Sequence, residues 1–432
     1  STMSMTSAPP PSAGAVLRDR SVRLILSATF LHAGAVIAQF TALGKLVYDI
    51  TQRELDLGWL GLAEFAPVLL LVTVTGTVAD RFDRRRVAVV FLTGEALCAL
   101  ALAWYASTGP TAVGPIYVIG VLFGTCRAFA APATRSMPVN VAPEGSLPRV
   151  TALSSTSWQL SSIVGPVVGG VAYAIGPTWP FVVAAAMVMG SALCISVVSF
   201  RRKQEIRAER PTFHSALEGF RFVRRTPLLF GAIALDLFAV LFGGAVALLP
   251  ALVEKRLGGG AVGLGFLRAA GGIGAGATAL FLAWRPISRR VGRKLLVAVA
   301  VFGLGTVLLG ATRQYWVAFL AMAVLMGADM VSVFIRGTIV PLATPDGMRG
   351  RVLAVENIFI GGSNELGAWE SGMAGQALGA SWAVAGGGLA CLAIVATWWL
   401  AFPALRDVDR FDDVVADRPE PPSGSSPPAP PS

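Results

Sequence analysis

Apolar residues run along this chain in stretches of about twenty, each closed by a short polar or glycine- and proline-rich break. Twelve such stretches occur, at roughly 22–46, 57–79, 87–106, 112–138, 151–174, 179–199, 228–252, 261–284, 295–311, 316–341, 352–376 and 381–402; about twenty helical residues cross the roughly 30 Å of a bilayer's hydrocarbon. Lipid offers no partner to a free backbone N–H or C=O, so helices are predicted. A closed β-barrel is excluded, because barrel strands alternate polar and apolar residues and these runs are apolar throughout.

Composition agrees with the pattern: 54% of the 432 residues are hydrophobic and only 14% charged. The start, Ser1 to Ala13, is rich in Pro and Ser and holds no cleavable hydrophobic region. Pro419 to Ser432 is almost wholly Pro, Ser, Gly and Ala, and has too little apolar surface to fold. Cys98, Cys126, Cys194 and Cys391 all fall inside apolar runs without ligand-like spacing, and read as small buried hydrophobes.

The formal net charge of +10 raises the question of nucleic acid. Its distribution answers against it. Arg and Lys crowd the tails and every second loop, including 81–86, 201–225 and 285–294, while the intervening loops hold only Lys45, Arg53, Lys255, Arg256 and Arg313. This alternation is the positive-inside pattern of a multi-pass membrane protein, with both termini and the long middle loop in the cytoplasm. A nucleic-acid footprint would be one contiguous patch, so no nucleic-acid partner is expected.

The middle loop, RRKQEIRAERPTFHSALEGFRFVRRTP, separates six spans from six. Sliding one half over the other aligns PEGSLPRVTAL (143–153) with PDGMRGRVLAV (345–355), and VADRFDRRR (78–86) with ISRRVGRK (287–294). Arg289 stands where Asp80 does. The predicted fold is therefore all-α, twelve transmembrane helices in two six-helix halves. Its parts are a disordered cytoplasmic start at 1–20, a first half at 21–199, a linker at 200–227 with an amphipathic helix, a second half at 228–402 and a disordered tail at 403–432. Parallel repeats of this kind favour a binding site at mid-membrane between the halves.

The motif Gly76-x-x-x-Asp80-Arg81-x-x-Arg84-Arg85 resembles the loop signature of the major facilitator superfamily, with its degenerate second copy. Asp83, at a position more often Gly, and the segment MRGRVLAVENIFIGGSNELG (348–367) are similar to the branch holding the enterobactin exporter and bacterial drug-efflux proteins. The resemblance implies a conformational latch of Gly76, Asp80, Arg81 and Arg84, in which the acid faces the start of the eleventh span near Val352. Gly165-Pro166-x-x-Gly169-Gly170 resembles the family's antiporter signature: small residues let helices cross closely and Pro removes a backbone bond. A role in packing alone is the alternative for these four residues.

Charges inside the spans carry the chemistry, since one at the bilayer centre costs about 2.5–3.5 kcal/mol. Asp329, Glu365 and Asp236 are the candidates for proton and substrate-cation binding, with Arg127 and Arg336 as their basic counterparts. Arg127 falls opposite Asp329 on the repeat alignment. Asp329 and Arg336 lie two turns apart on one helix face, too far for direct contact unless another residue bridges them. The alternative role for this set is a buried ion-pair network that fixes packing. Glu64, Glu95, Glu370 and Arg268 complete the intramembrane charges. Trp158, Gln159, Asn357 and Asn364 lie on the fifth and eleventh spans, which line the cavity in the family the chain resembles, and His32 joins them on the first, hydrogen-bonded or gating.

The sequence thus reads as a secondary transporter of the bacterial inner membrane, in contact with the lipid bilayer and acting as a monomer. Its function is proton-driven export of small amphipathic compounds, drugs or siderophores, by alternating access. A lysophospholipid or other lipid-like cargo is the alternative. A membrane enzyme or receptor is disfavoured: no metal-ligand cluster, nucleotide loop or Ser/His/Asp set occurs, so no cofactor, metal or catalytic residue is expected.

Overall fold

The computed structural model describes residues 13–71, 74, 75, 78, 82–200 and 213–416. Among them every regular element is helical. The first half supplies α1 (Arg20–Thr51), α2 (Glu54–Leu70), α3 (Arg84–Ser107), α4 (Gly114–Arg135), α5 (Leu147–Ile175) and α6 (Trp179–Ser196). After the linker helix α7 (Phe213–Arg225) come α8 (Pro227–Phe242), α9 (Gly260–Trp284), α10 (Val291–Ala311), α11 (Tyr315–Ala343), α12 (Arg349–Leu378) and α13 (Ala380–Ala401).

Helix starts follow from the local sequence. Asp19 caps α1, its carboxylate accepting from the N–H groups of Ser21 at 2.9 Å and Val22 at 3.1 Å. Asp83 caps α3 in the same way, accepting from Arg86 N–H at 3.1 Å. The acid that departs from the superfamily's more frequent glycine therefore satisfies a helix end. Arg85, beside it, donates to the carbonyls of Ser196 and Val198 at the end of α6, where exposed C=O groups favour a cation.

Packing repeats between the halves. In the first, α1 lies against α5 and α6, and α3 against α4 and α6. In the second, α8 lies against α12 and α13, and α10 against α11 and α13. The first core is rich in alanine, including Ala28, Ala35, Ala88, Ala99 and Ala130, whereas the second uses Leu, Ile and Val. Small side chains bring helices close where lipid gives no hydrophobic drive to associate. Contacts divide the chain into two compact units: Ser1–Gln52, Trp59–Ala208 and Gly259–Gly272 form one; Arg53–Gly58, Glu209–Gly258 and Ile273–Ser432 form the other.

Two expectations need correction. Ten of the helices among the described residues are long and apolar enough to cross a bilayer. The other two predicted spans are α2, with 17 residues within the described part, and α12, whose 30 residues carry Glu356, Glu365 and Glu370. The predicted span at 228–252 is not one continuous helix. It breaks after Phe242 at Gly243 and Gly244, then proceeds through a 3-10 turn (Ala245–Leu248), a short α-helix (Leu249–Leu252) and a π turn (Val253–Leu257). A Cβ on Gly244 would stand 2.7 Å from the Gly367 carbonyl, so close approach to α12 accounts for glycine there. The tail is ordered further than its composition suggests: Leu405 and Val414 are buried in the second core, and Val291 N–H donates to the Asp409 carbonyl at 3.2 Å.

Candidate functional site

Within the second unit, α8, α11 and α12 bring charged side chains together. Asp236 sits on α8, Asp329 and Arg336 on α11 and Glu356 on α12. Arg336 Nη2 meets Asp236 Oδ1 at 2.6 Å, and its Nε reaches Ser332 Oγ at 3.3 Å. Asp236, not Asp329, is thus the acid in contact with this guanidinium. Asp329 is half-buried and lies within electrostatic reach of both Asp236 and Arg336. Glu356, buried, is within reach of the same two groups.

One carboxylate, Asp236, thus contacts the guanidinium, and two more, Asp329 and Glu356, interact with it through charge. Such a set holds an excess of negative charge that protons or a bound cation can balance. The sequence pattern did not single out Glu356, although it stands in the same VLAVENIFIG stretch as Asn357. The signal it offered was a carboxylate in an apolar helix stretch; helix position alone did not reveal that it lies within electrostatic reach of groups on α8 and α11.

The first unit holds a separate polar pair. His32 Nε2 on α1 and Glu95 Oε2 on α3 are 2.8 Å apart, and Glu95 is fully buried. Histidine here joins two helices through a buried carboxylate. Arg268 on α9 is buried and packs its guanidinium 5.0 Å from the ring centre of Phe40. Arg127 is exposed and has no ion-pair partner among the described residues, so it joins neither group.

The proposed cavity residues divide by what their amides do. Gln159 Nε2 donates to the Gly272 carbonyl at 2.8 Å and to Ser162 Oγ at 3.0 Å. Asn357 and Asn364 are exposed, and each donates 2.8 Å to a carbonyl one turn back on its own helix. Trp158 is exposed, Glu365 half-buried. Gly76, Asp80 and Arg81 of the expected latch lie outside the described residues; Arg84 opens α3.

The glycine motif in α5 has a direct steric basis. A Cβ on Gly165 would lie 2.9 Å from the Gly34 carbonyl of α1, and Gly169 faces Ala38 one turn on. Gly170 and Pro166 meet Gly265 of α9, where a Cβ would stand 2.5 Å from the Pro166 carbonyl. In the second half Gly367 occupies the aligned position, with the carbonyls of Val240 and Leu241 on α8 at 2.8 Å from its would-be Cβ. Both halves therefore use glycine where the fifth helix of the repeat crosses the first.

These features have counterparts among known proteins. A family model described as the transmembrane secretion effector family matches residues 11–424. The chain belongs to this family of the major facilitator superfamily. Among this chain's relatives, the multidrug efflux pump Tap of Mycobacterium tuberculosis is 28% identical, over 92% of this chain and 96% of that protein. The enterobactin exporter EntS of Shigella boydii is 26% identical, over 65% of this chain and 67% of that protein. Solved structures share the fold at lower identity. A POT family transporter in complex with 5-aminolevulinic acid aligns with a TM-score of 0.71 at 10% identity, covering 89% of this chain and 96% of that one. A D-xylose-proton symporter aligns at 0.67 with 15% identity, covering 90% and 98%. Secretion effector family membership makes the chain a multi-pass membrane transporter rather than an enzyme.

Proposed function

We propose that this transporter exports small amphipathic compounds, cationic ones among them, in exchange for protons by alternating access. The observation that carries the reading is the group of three carboxylates around Arg336, two of them buried, on three helices of the second unit. Inside a bilayer such an excess of acid is costly unless it binds something. Protons and a substrate cation compete for the same negative charge, which is how an exchanger couples them. Asp329, which is not in contact with the guanidinium, serves as the exchanging site; Asp236 and Arg336 hold its surroundings. Similarity to a multidrug efflux pump and a siderophore exporter supports outward movement of drug-like cargo. The basic loops support a cytoplasmic-membrane setting with both ends inside.

Purified protein in liposomes with an imposed pH gradient tests this, using a fluorescent cationic dye as cargo. Flux is expected to follow the gradient, and Asp329→Asn and Glu356→Gln are expected to uncouple it. Flux indifferent to the gradient, or coupling intact in both variants, would sink the proton-exchange reading.

A further inference from the structure

We propose that the second unit carries a site for an anionic glycerophospholipid of the bilayer, with its acyl chain in the groove formed by α9, α10 and α11 and its phosphate at Lys294. The groove encloses about 560 Å³ and, apart from Lys294 and Thr278, is lined by apolar residues. Each helix presents one stripe to it. Lys294, Val297 and Val301 stand at helical spacing on α10, and Val324 and Val331 on α11. The α11 stripe runs from Leu320 to Val331, about 16 Å at 1.5 Å per residue, which is about the thickness of one leaflet's hydrocarbon.

The floor of the groove exists because side chains are missing there. A Cβ on Gly327 would stand 2.7 Å from Thr278 Oγ1, and Gly274 abuts the Ala323 backbone, so α9 and α11 touch through glycine. Ala277 and Ala298 are too short to refill the space above that contact.

Charge selects the occupant. Lys294 lines the groove at the end where α10 begins and is exposed, and its ammonium has no hydrogen bond or ion pair among the described residues. The stretch RPISRRVGRK, 285–294, holds Arg285, Arg289, Arg290, Arg293 and Lys294 and no acid. The nearby acids are otherwise engaged: Asp409 accepts the Arg290 backbone N–H at 3.1 Å, and Asp407 is paired with Arg406. At the same membrane face Trp284 is exposed, with the Arg285 guanidinium 5.6 Å from its ring centre, the pairing that marks headgroup depth. An ammonium at the mouth of an apolar groove attracts a phosphate. It would repel the second cation of a choline or ethanolamine headgroup, so the anionic lipid is preferred.

Native mass spectrometry of the full chain, with phosphatidylglycerol or phosphatidylcholine added as probe, tests the site. The wild type is expected to retain one phosphatidylglycerol more firmly than phosphatidylcholine. Lys294→Gln is expected to weaken phosphatidylglycerol retention about fivefold and leave phosphatidylcholine unchanged. Ala277→Trp, which fills the groove from an exposed position, is expected to abolish retention of both. Arg23→Gln, a basic residue of the first unit, is expected to change neither. Equal retention of the two lipids by the wild type, or undiminished phosphatidylglycerol in Lys294→Gln with an unaltered melting temperature, would overturn the proposal. Should Lys294→Gln melt early, the lipid preference of the wild type and the Ala277→Trp variant decide it.

Discussion

Arg336 donates to Asp236 across α11 and α8 at 2.6 Å, and the two side chains are only 5% and 7% exposed. Removing one partner of such a pair leaves the other charge buried without contact, which costs about 3–5 kcal/mol, whereas replacing both with uncharged groups of similar shape is close to neutral. Arg336→Leu is therefore expected to lower thermal stability in detergent markedly, and adding Asp236→Asn to recover most of the loss. Additive losses would mean that the two side chains do not hold each other in place.

The His32–Glu95 pair makes a parallel prediction for the first unit. Glu95 is fully buried, and its contact with the imidazole is 2.8 Å. His32→Ala removes that partner without removing the carboxylate, at an expected cost of about 1–3 kcal/mol. Glu95→Gln preserves a hydrogen-bonding group of the same size, and is expected to melt within a few degrees of the wild type. Equal destabilisation by the two changes would contradict this account of the pair.

Glycines where the repeat's first and fifth helices cross should tolerate nothing larger. Gly165→Val and Gly367→Val press a side chain onto backbone carbonyls at under 3 Å, and overpacking of this kind costs about 1–3 kcal/mol. Gly337, on the exposed side of α11 with nothing within 4 Å of where a Cβ would stand, is the comparison. There Gly→Ala is expected to be neutral or to stabilise by up to about 1 kcal/mol through helix propensity. Melting curves of the three variants separate steric packing from a general effect of glycine.

The linker helix α7 docks on the start of α12. Glu218 and Arg351 meet at 2.6 Å, Phe220 lies 6.2 Å from Phe359 between ring centres, and a Cβ on Gly219 would stand 2.8 Å from the Arg351 carbonyl. The ion pair is about 40% exposed on each side, so breaking it with Glu218→Gln is expected to cost under about 1 kcal/mol. Gly219→Val is expected to cost more, because it forces the two backbones apart. Limited proteolysis of the linker reads this out directly: faster cleavage in Gly219→Val than in Glu218→Gln is the expected order.

The sequence by itself determined the solvent, the class of fold and the duplication. Unbroken apolar runs leave helices as the structure that satisfies the backbone in lipid, and the aligned PEGSLPRVTAL and PDGMRGRVLAV segments mark the repeat. Glycines at 165 and 169 were legible too, because close helix crossings in lipid call for small residues. Tertiary structure alone decided which charges meet. Asp329 and Arg336 share a helix face, yet the contact of Arg336 is with Asp236, far away in sequence, and Glu356 enters the same cluster from a third helix. One helix fixes where its own side chains point along a 3.6-residue turn. The partner opposite depends on rotation, depth and distance between helices, and those follow from summed packing across the unit rather than from any local stretch of residues.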